Sequence, residues 1–117
     1  MSAYQQLVDA QEHAVSAVAS CKQLSDVDRA CRNKLIVSGH PSFPHSTGHG
    51  IGLEVHELPR VHTKSTDIKQ IGQVFTIEPG IYYEGRWGMR LEDTVVVTPQ
   101  GSAELLTQFS KELIHLR

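Results

Sequence analysis

The residues best suited to chemistry begin with a glycine-rich run that contains His45, His49 and His56. Two glutamates follow it: Glu78 in Phe-Thr-Ile-Glu-Pro-Gly and Glu92 in Arg-Leu-Glu-Asp-Thr. Imidazole nitrogens and carboxylate oxygens are common ligands of divalent metal ions in proteins. The pattern therefore indicates a metal site that uses a histidine and both glutamates.

The spacing of the two glutamates predicts that they face each other. Gly85 lies midway between Glu78 and Glu92, so a hairpin that turns there would place them opposite each other on one sheet face. Two opposed carboxylates repel, and a divalent cation between them would remove that penalty. Arg90 is an alternative positive partner, and a bulge at Pro79–Gly80 would shift the register by one residue. The remaining alternative is a pair of solvated surface glutamates.

Each histidine of the run is predicted to have a different position. His49 lies between two glycines, which allow backbone or ligand to approach closely, and a histidine buried there suits a neutral metal ligand. If the segment is extended, His45 shares a face with His49 and could support it from behind. His56 has the opposite parity and needs a bend, for example at Gly52. It would then suit stabilisation of an oxyanion.

Two helices are predicted before this run. Apolar residues recur at helical spacing over residues 3 to about 20, at Leu7, Ala10, Ala14 and Val18. A second helix is predicted to begin with Ser25 as its N-cap and Asp28 as the acidic end of a capping box, with Val27, Ala30, Leu35 and Cys31 toward the core. Gly39, followed by two prolines, is predicted to end it.

From Phe43 onward the composition favours strands. Val74–Tyr83 and Met89–Thr98 are rich in β-branched and aromatic residues, a short last strand is predicted over Glu104–Thr107, and a short closing helix over Phe109–Leu116. Helices followed by antiparallel strands predict the α+β class.

Composition narrows the function classes. The 117 residues, with a net charge of −2, predict a single domain over residues 1–117 and give no electrostatic case for binding nucleic acid or an anionic membrane. No apolar run is long enough to span a bilayer or resembles a signal peptide. Cys21 and Cys31 are expected to be buried, reduced thiols, which favours a cytoplasmic protein.

The three motifs, in this order, resemble those of the pita-bread (M24-type) metallopeptidases, in the Xaa-Pro dipeptidase and aminopeptidase P group. The resemblance covers nearly the whole chain. It implies the C-terminal half of the pita-bread fold, with two helices, an antiparallel sheet and a short C-terminal helix. It also implies hydrolysis of the Xaa-Pro bond of short proline-containing peptides by a water that two metal ions activate. Manganese is favoured, with cobalt or zinc as alternatives.

The resemblance also implies a role for each site residue. His49, Glu78 and Glu92 would be metal ligands, with Glu92 bridging both ions, and Glu78 would also move the proton of the attacking water. His56 would stabilise the tetrahedral intermediate. His45 would be a catalytic or substrate-side residue, and Arg90 would bind substrate or support the ligands.

The family site has five protein ligands, and the other two are aspartates from a preceding half that this chain does not resemble. None of its aspartates lies in a matching strand motif: Asp9, Asp26, Asp28, Asp67 and Asp93. The expectation is therefore a partial catalytic domain that holds at most one ion weakly and is inactive alone. Two alternatives stay open. One is a non-catalytic interaction module that homodimerises through the exposed half-site face, and the other is one half of a split enzyme.

Overall fold

The chain folds into two helices followed by seven short strands, and the computed structural model describes residues 1–117. The helices are α1 (Ala3–Ala17) and α2 (Leu24–Val37). The strands are β1 (Gly48–Gly50), β2 (Glu57–Val61), β3 (Val74–Ile77), β4 (Gly80–Tyr83), β5 (Trp87–Arg90), β6 (Asp93–Val97) and β7 (Ala103–Leu105). The α+β prediction is confirmed. No helix is long and apolar enough to cross a membrane.

The helices form the core as their apolar spacing predicted. The four predicted positions from Leu7 to Val18 are fully buried, as are Val27, Cys31 and Leu35 of α2, whereas Ala30 is only half-buried. These side chains share one hydrophobic cluster with Phe75, Ile77 and Val95 of the sheet. Full burial of a Leu or Val side chain contributes roughly 1.5–3 kcal/mol, so this packing fixes the helices against the sheet that carries the site.

The predicted start of α2 is wrong. The N-cap is Gln23, and the backbone N–H of Gln23 donates to Asp26 Oδ2 at 3.2 Å. Ser25 lies inside the helix, and Asp28 is fully buried. The same three-residue capping spacing is met two residues earlier, which leaves Asp28 free for partners outside the helix. The other end agrees with the prediction, because Gly39 follows α2 with a φ of +92°.

The antiparallel sheet keeps one register across the central hairpin. The five-stranded sheet has the order β2-β1-β3-β6-β7, and β4 and β5 form a separate two-stranded ribbon. Ile77 pairs with Asp93 in the first sheet and Gly80 with Arg90 in the ribbon, so both follow a turn centred on Gly85. The register does not shift at Pro79–Gly80, and the bulge alternative is excluded.

The C-terminal segment, residues 106–117, contains no regular secondary structure. The predicted helix over Phe109–Leu116 is therefore wrong, and the last strand begins one residue earlier than predicted. Helices this short are marginal without packing, and Phe109 and Leu116 are exposed. Instead, Tyr4 Oη donates to the carbonyl of Lys111 at 2.7 Å, and Lys111 Nζ lies 3.2 Å from Asp93 Oδ2. These contacts hold the segment across α1 and β6.

Candidate metal centre

Three neighbouring strands position the predicted ligands. His49 is the middle residue of β1, Glu78 follows β3 directly, and Glu92 directly precedes β6. Since β1 pairs with β3 and β3 pairs with β6, the three side chains converge at one place on the sheet. One potential ligand atom from each lies within 4.8 Å of the others. The structure thus brings together the histidine and both glutamates.

The glycines beside His49 are required by close backbone packing. A Cβ at Gly48 would lie 1.7 Å from the Thr76 carbonyl oxygen, and one at Gly50 would lie 2.1 Å from the Leu58 carbonyl oxygen. Both neighbours are backbone atoms that cannot move aside without shifting a strand. The prediction that these glycines permit a close approach is confirmed.

The tautomer of His49 follows from its hydrogen bonds. Nδ1 lies 2.8 Å from the Gly50 carbonyl oxygen, which can only accept, so Nδ1 carries a proton and donates. In a neutral ring Nε2 then presents a lone pair, and it lies 3.0 Å from Glu78 Oε1. Two lone pairs at this distance require a proton or a cation between them. The support of Nδ1 by a carbonyl is typical of metal-binding histidines.

Thr76 joins the histidine to the glutamate, and it is a residue that sequence reasoning missed. Its Oγ1 accepts from the backbone N–H of His49 at 3.1 Å and donates to Glu78 Oε1 at 3.1 Å. Thr76 and Glu78 are two residues apart at the end of a strand, so their shared face was readable from strand parity.

The two glutamates carry unbalanced negative charge. Burial raises the pKa of Glu92, and the nearby Glu78 carboxylate raises it further, while Arg90 and His49 oppose the shift. Arg90 Nε lies 4.0 Å from Glu78 Oε2 with its side chain 53% exposed, so it neutralises the pair only weakly. The rival role for Arg90, as the cation between the glutamates, is therefore poorly supported.

The donor set fits a divalent ion. Two ligands of one ion at right angles and bonds of ~2.1 Å lie about 3 Å apart, which is the separation of His49 Nε2 and Glu78 Oε1. Two carboxylates and an imidazole suit manganese, cobalt or zinc. The three residues would hold such an ion, which would lower the pKa of a bound water and polarise a carbonyl.

His45 lines the same cavity, but it is not hydrogen-bonded to any of the three potential ligands. Its Nδ1 donates to the Ser46 carbonyl at 2.8 Å, and its Nε2 accepts from Tyr82 Oη at 2.8 Å. The ring stacks on Phe43 with centroids 4.9 Å apart. Both ring nitrogens are thus occupied, and Tyr82 is a second neighbour of the site that the sequence analysis missed.

His56 lies beside His49, and the ring centroids are 4.3 Å apart in an edge-on arrangement. Residues 51–56 have no regular secondary structure, so the chain bends between β1 and β2 as the opposite parity of His56 required. His56 is exposed and open to a molecule in the cavity.

The cavity itself has a volume of about 770 Å³ and a charged lining. It is bordered by His45, Ser46, Gly48, His49, Glu54, His56, Glu57, Leu58, Arg60, Glu78 and Arg90. Arg60 pairs directly with His49 across β1 and β2, so both side chains project from one face. The exposed guanidinium of Arg60 forms no ion pair. Its position beside the cavity follows from the pairing of β1 with β2.

The aspartates are engaged elsewhere. Asp28 and Asp93 are buried and hydrogen-bonded to threonines, Asp26 pairs with Arg29, and Asp67 accepts from the backbone of Arg60. The remaining one, Asp9, accepts from Gln5. None belongs to the group of potential ligands.

The chain is similar to known metallopeptidases over most of its length. Residues 1–99 match the model of metallopeptidase family M24. The chain belongs to this family. It is 41% identical over 112 residues to an Xaa-Pro dipeptidase of Pyrococcus horikoshii. The aligned region covers 95% of this chain but only 32% of that protein. The chain thus spans about a third of the length of this relative.

Solved structures confirm the fold. A dipeptidase of P. horikoshii superposes with a TM-score of 0.90 at 43% identity, over 97% of this chain and 32% of that one. The dipeptidase PepE of Mycobacterium ulcerans gives 0.88 at 44% identity, over 95% and 30%. This chain therefore has the architecture of the C-terminal part of the pita-bread fold. A methionine aminopeptidase of Rickettsia prowazekii shares the fold alone, with a TM-score of 0.69 at 22% identity.

Proposed function

We propose that this M24 chain supplies one wall of the metal centre of a proline-specific peptidase that hydrolyses Xaa-Pro bonds. The observation that carries the proposal is the convergence of His49, Glu78 and Glu92 within 4.8 Å. The relatives named Xaa-Pro dipeptidase support the substrate class, which is short proline-containing peptides. Manganese is the proposed metal, since two of the three donors are carboxylates, with cobalt or zinc as alternatives.

The chain's own groups would act around the substrate amide in distinct ways. Glu78, hydrogen-bonded to Thr76, would accept a proton from the attacking water and pass it on. His56, exposed beside His49, would stabilise negative charge on the amide oxygen. His45 would orient substrate through its ring, which Tyr82 and Ser46 hold in place.

Arg60 and Arg90 border the cavity and would recognise the substrate's carboxylate end. Both are exposed, and Arg60 projects on the same face as His49. Guanidinium groups bind carboxylates in a bidentate manner, which makes them suitable for the free C-terminus of a dipeptide. We propose this role for Arg60 in addition to the substrate-binding role of Arg90.

A half site would bind metal weakly and would not catalyse alone. Three ligands leave an ion largely hydrated, and no aspartate of this chain joins them. Calorimetric titration with Mn²⁺ should give at most one ion per chain with weaker than micromolar affinity. Micromolar or tighter binding of two ions would overturn the half-site proposal.

A split enzyme is the catalytic alternative, with the aspartate-bearing half on another polypeptide. Mixing the chain with the N-terminal half of an M24 dipeptidase and assaying Gly-Pro cleavage separates the two cases. Cleavage by the mixture and not by either part would support complementation, whereas no cleavage would leave the chain inert.

The second candidate function is non-catalytic self-association. Apolar side chains are exposed beside the site and in the C-terminal segment, with Leu53 at 105%, Phe109 at 78% and Leu116 at 92%. Large exposed apolar surfaces mark association sites. A homodimer would bury these side chains, and sedimentation of a monomer at high concentration would refute it.

The two free, buried cysteines support the proposal of a cytoplasmic protein.

A further inference from the structure

A buried ion pair of α2 lies behind the metal centre. Asp28 is fully buried, and the Arg32 side chain is 14% exposed. Arg32 Nε donates to Asp28 Oδ2 at 2.8 Å, and Thr63 Oγ1 donates to the same oxygen at 2.6 Å. A buried pair of this kind persists only where further hydrogen bonds satisfy its remaining atoms.

The remaining nitrogens of Arg32 hold the segment that leads into β1. Nη2 donates to the His45 carbonyl at 2.6 Å, and Nη1 donates to the Phe43 carbonyl and to Ser42 Oγ. The guanidinium carbon also lies 4.1 Å from the centre of the Phe43 ring. This segment forms no strand, so the arginine supplies partners that a sheet would otherwise provide.

The second oxygen of Asp28 connects the pair to the metal ligands. Thr47 is fully buried, and its Oγ1 donates to Asp28 Oδ1 at 2.8 Å. The carbonyl of Thr47 accepts from the backbone N–H of Glu78 at 2.6 Å. Thr47 also lies two residues before His49. One chain of hydrogen bonds therefore runs from α2 to the segments that carry both ligands.

We propose that Asp28 and Arg32 are positioning residues, which hold the 42–47 segment so that His49 and Glu78 present their ligand atoms 3.0 Å apart. The proposal rests on the proposed function, because it assumes that these two residues bind metal. Groups that orient metal ligands typically change affinity 10- to 100-fold when they are removed. The pair acts through backbone carbonyls and Thr47, and it does not touch the metal or the substrate.

The helix offers a matched control in a second ion pair. Arg29 pairs with Asp26 at 2.6 Å, but both side chains are about half exposed, and their hydrogen bonds stay within residues 23–29. Arg32→Gln should raise the Mn²⁺ dissociation constant about 10-fold, and Arg29→Gln should leave it unchanged, in protein shown to be folded by circular dichroism. Equal dissociation constants for wild type and both variants would overturn the proposal.

Thr47→Val provides a second variant in case Arg32→Gln does not fold. It keeps the shape of the side chain and the Asp28–Arg32 pair but removes the hydrogen bond that links them to Glu78. We expect weakened Mn²⁺ binding in folded protein, by a smaller factor than for Arg32→Gln. Affinity equal to wild type would contradict the link through Thr47. Arg32→Lys, which keeps the charge but not the planar fork, should restore binding only in part.

A metal-free measurement separates this proposal from the proposed function. The side-chain ¹⁵N shifts of His45 and His49 report their tautomers and hydrogen bonds without any ion. They should change in Arg32→Gln and Thr47→Val and not in Arg29→Gln. If wild type binds no Mn²⁺ but these shifts change, the proposed function fails and the positioning role stands. Unchanged shifts in both variants would overturn the positioning role.

Discussion

The chain contains two carboxylate sites, Asp28 and the pair Glu78 and Glu92, which are joined through Thr47 and have opposite electrostatic character. Around Asp28, both oxygens accept hydrogen bonds, from Arg32, Thr63 and Thr47. Burial alone would raise the pKa of Asp28, but these three bonds together lower it. Around Glu92, burial and the Glu78 carboxylate raise the pKa. The charge of Asp28 is balanced within the chain, whereas Arg90 offsets the charge of Glu78 and Glu92 only weakly.

This difference separates a structural carboxylate from a proposed metal ligand. A structural carboxylate has a hydrogen-bond partner for each oxygen, and its removal lowers the free energy of unfolding of the chain. In a group of metal ligands, the carboxylates repel each other unless a cation from outside the chain binds between them. Neutralising one carboxylate therefore removes the repulsion. Charge balance, rather than burial alone, therefore separates the two sites.

Removal of the structural carboxylate should have the largest effect on stability. Asp28→Ala removes the anion that balances the charge of Arg32, and it leaves Arg32 Nε and the buried Thr47 hydroxyl without their acceptor. Breaking a buried pair in this way typically costs about 3–5 kcal/mol. Urea unfolding of the metal-free chain should show this loss. A change below about 1 kcal/mol would mean that Asp28 is not essential to the fold.

Neutralising one carboxylate of the Glu78 and Glu92 pair should raise the stability of the metal-free chain instead of lowering it. Glu92→Gln removes repulsion with Glu78 and should stabilise the metal-free chain by about 0.5 kcal/mol, the scale of a cross-strand charge pair. The same change should weaken Mn²⁺ binding. Glu104→Gln, at an exposed residue of β7, is the control and should alter neither property. Destabilisation by Glu92→Gln would contradict the charge imbalance.

The stability difference should depend on pH. The pKa of Glu92 is higher in the folded chain than its ordinary value of 4.5, so the folded state binds the extra proton in the window above that value. Its contribution is therefore favourable at low pH and is lost as the pH rises through the folded pKa. The gain from Glu92→Gln should grow from pH 4 to neutrality. A gain that is constant with pH would refute the shift.

Asp28 should act in the reverse direction. Its pKa is lowered, so its stabilising contribution is present above the ordinary aspartate value of 3.8 and is lost as the pH falls through the folded pKa. Acid unfolding of the metal-free wild type, compared with Asp28→Asn, should show a difference that shrinks below pH 4. A difference that persists in full at pH 2 would contradict this direction.

The exposed pair in the same helix should give the smallest effect. Arg29→Gln removes a surface contact to Asp26 and should change the free energy of unfolding by less than about 0.5 kcal/mol. Thermal unfolding of this variant beside Arg32→Gln tests whether exposure separates the two pairs. Equal losses would show that helix position, and not burial, decides their contribution.

Much of the candidate metal centre could be predicted because its determinants are local. Strand period and the central Gly85 were sufficient to place Glu78 opposite Glu92, and the glycines around His49 indicated close packing. The helices followed from apolar spacing in the same way. These features depend on neighbours in the chain, which sequence patterns describe well.

The supporting residues could not be predicted, because their partners are distant in sequence. Asp28 resembled a capping residue, and only the packing of α2 against Thr47 and Thr63 shows its role. Arg60 became visible through the pairing of β1 with β2. The C-terminal helix failed for a related reason, since its apolar residues have no surface to pack against in this chain.

The proposal to be tested most directly is that His49, Glu78 and Glu92 bind a divalent cation. Addition of substoichiometric Mn²⁺ to ¹⁵N-labelled chain should broaden amide resonances around His49, Glu78 and Glu92 first, because paramagnetic broadening falls steeply with distance. The broadening should disappear in His49→Ala. Broadening centred instead on Glu54 and Glu57, or none at millimolar Mn²⁺, would contradict the claim.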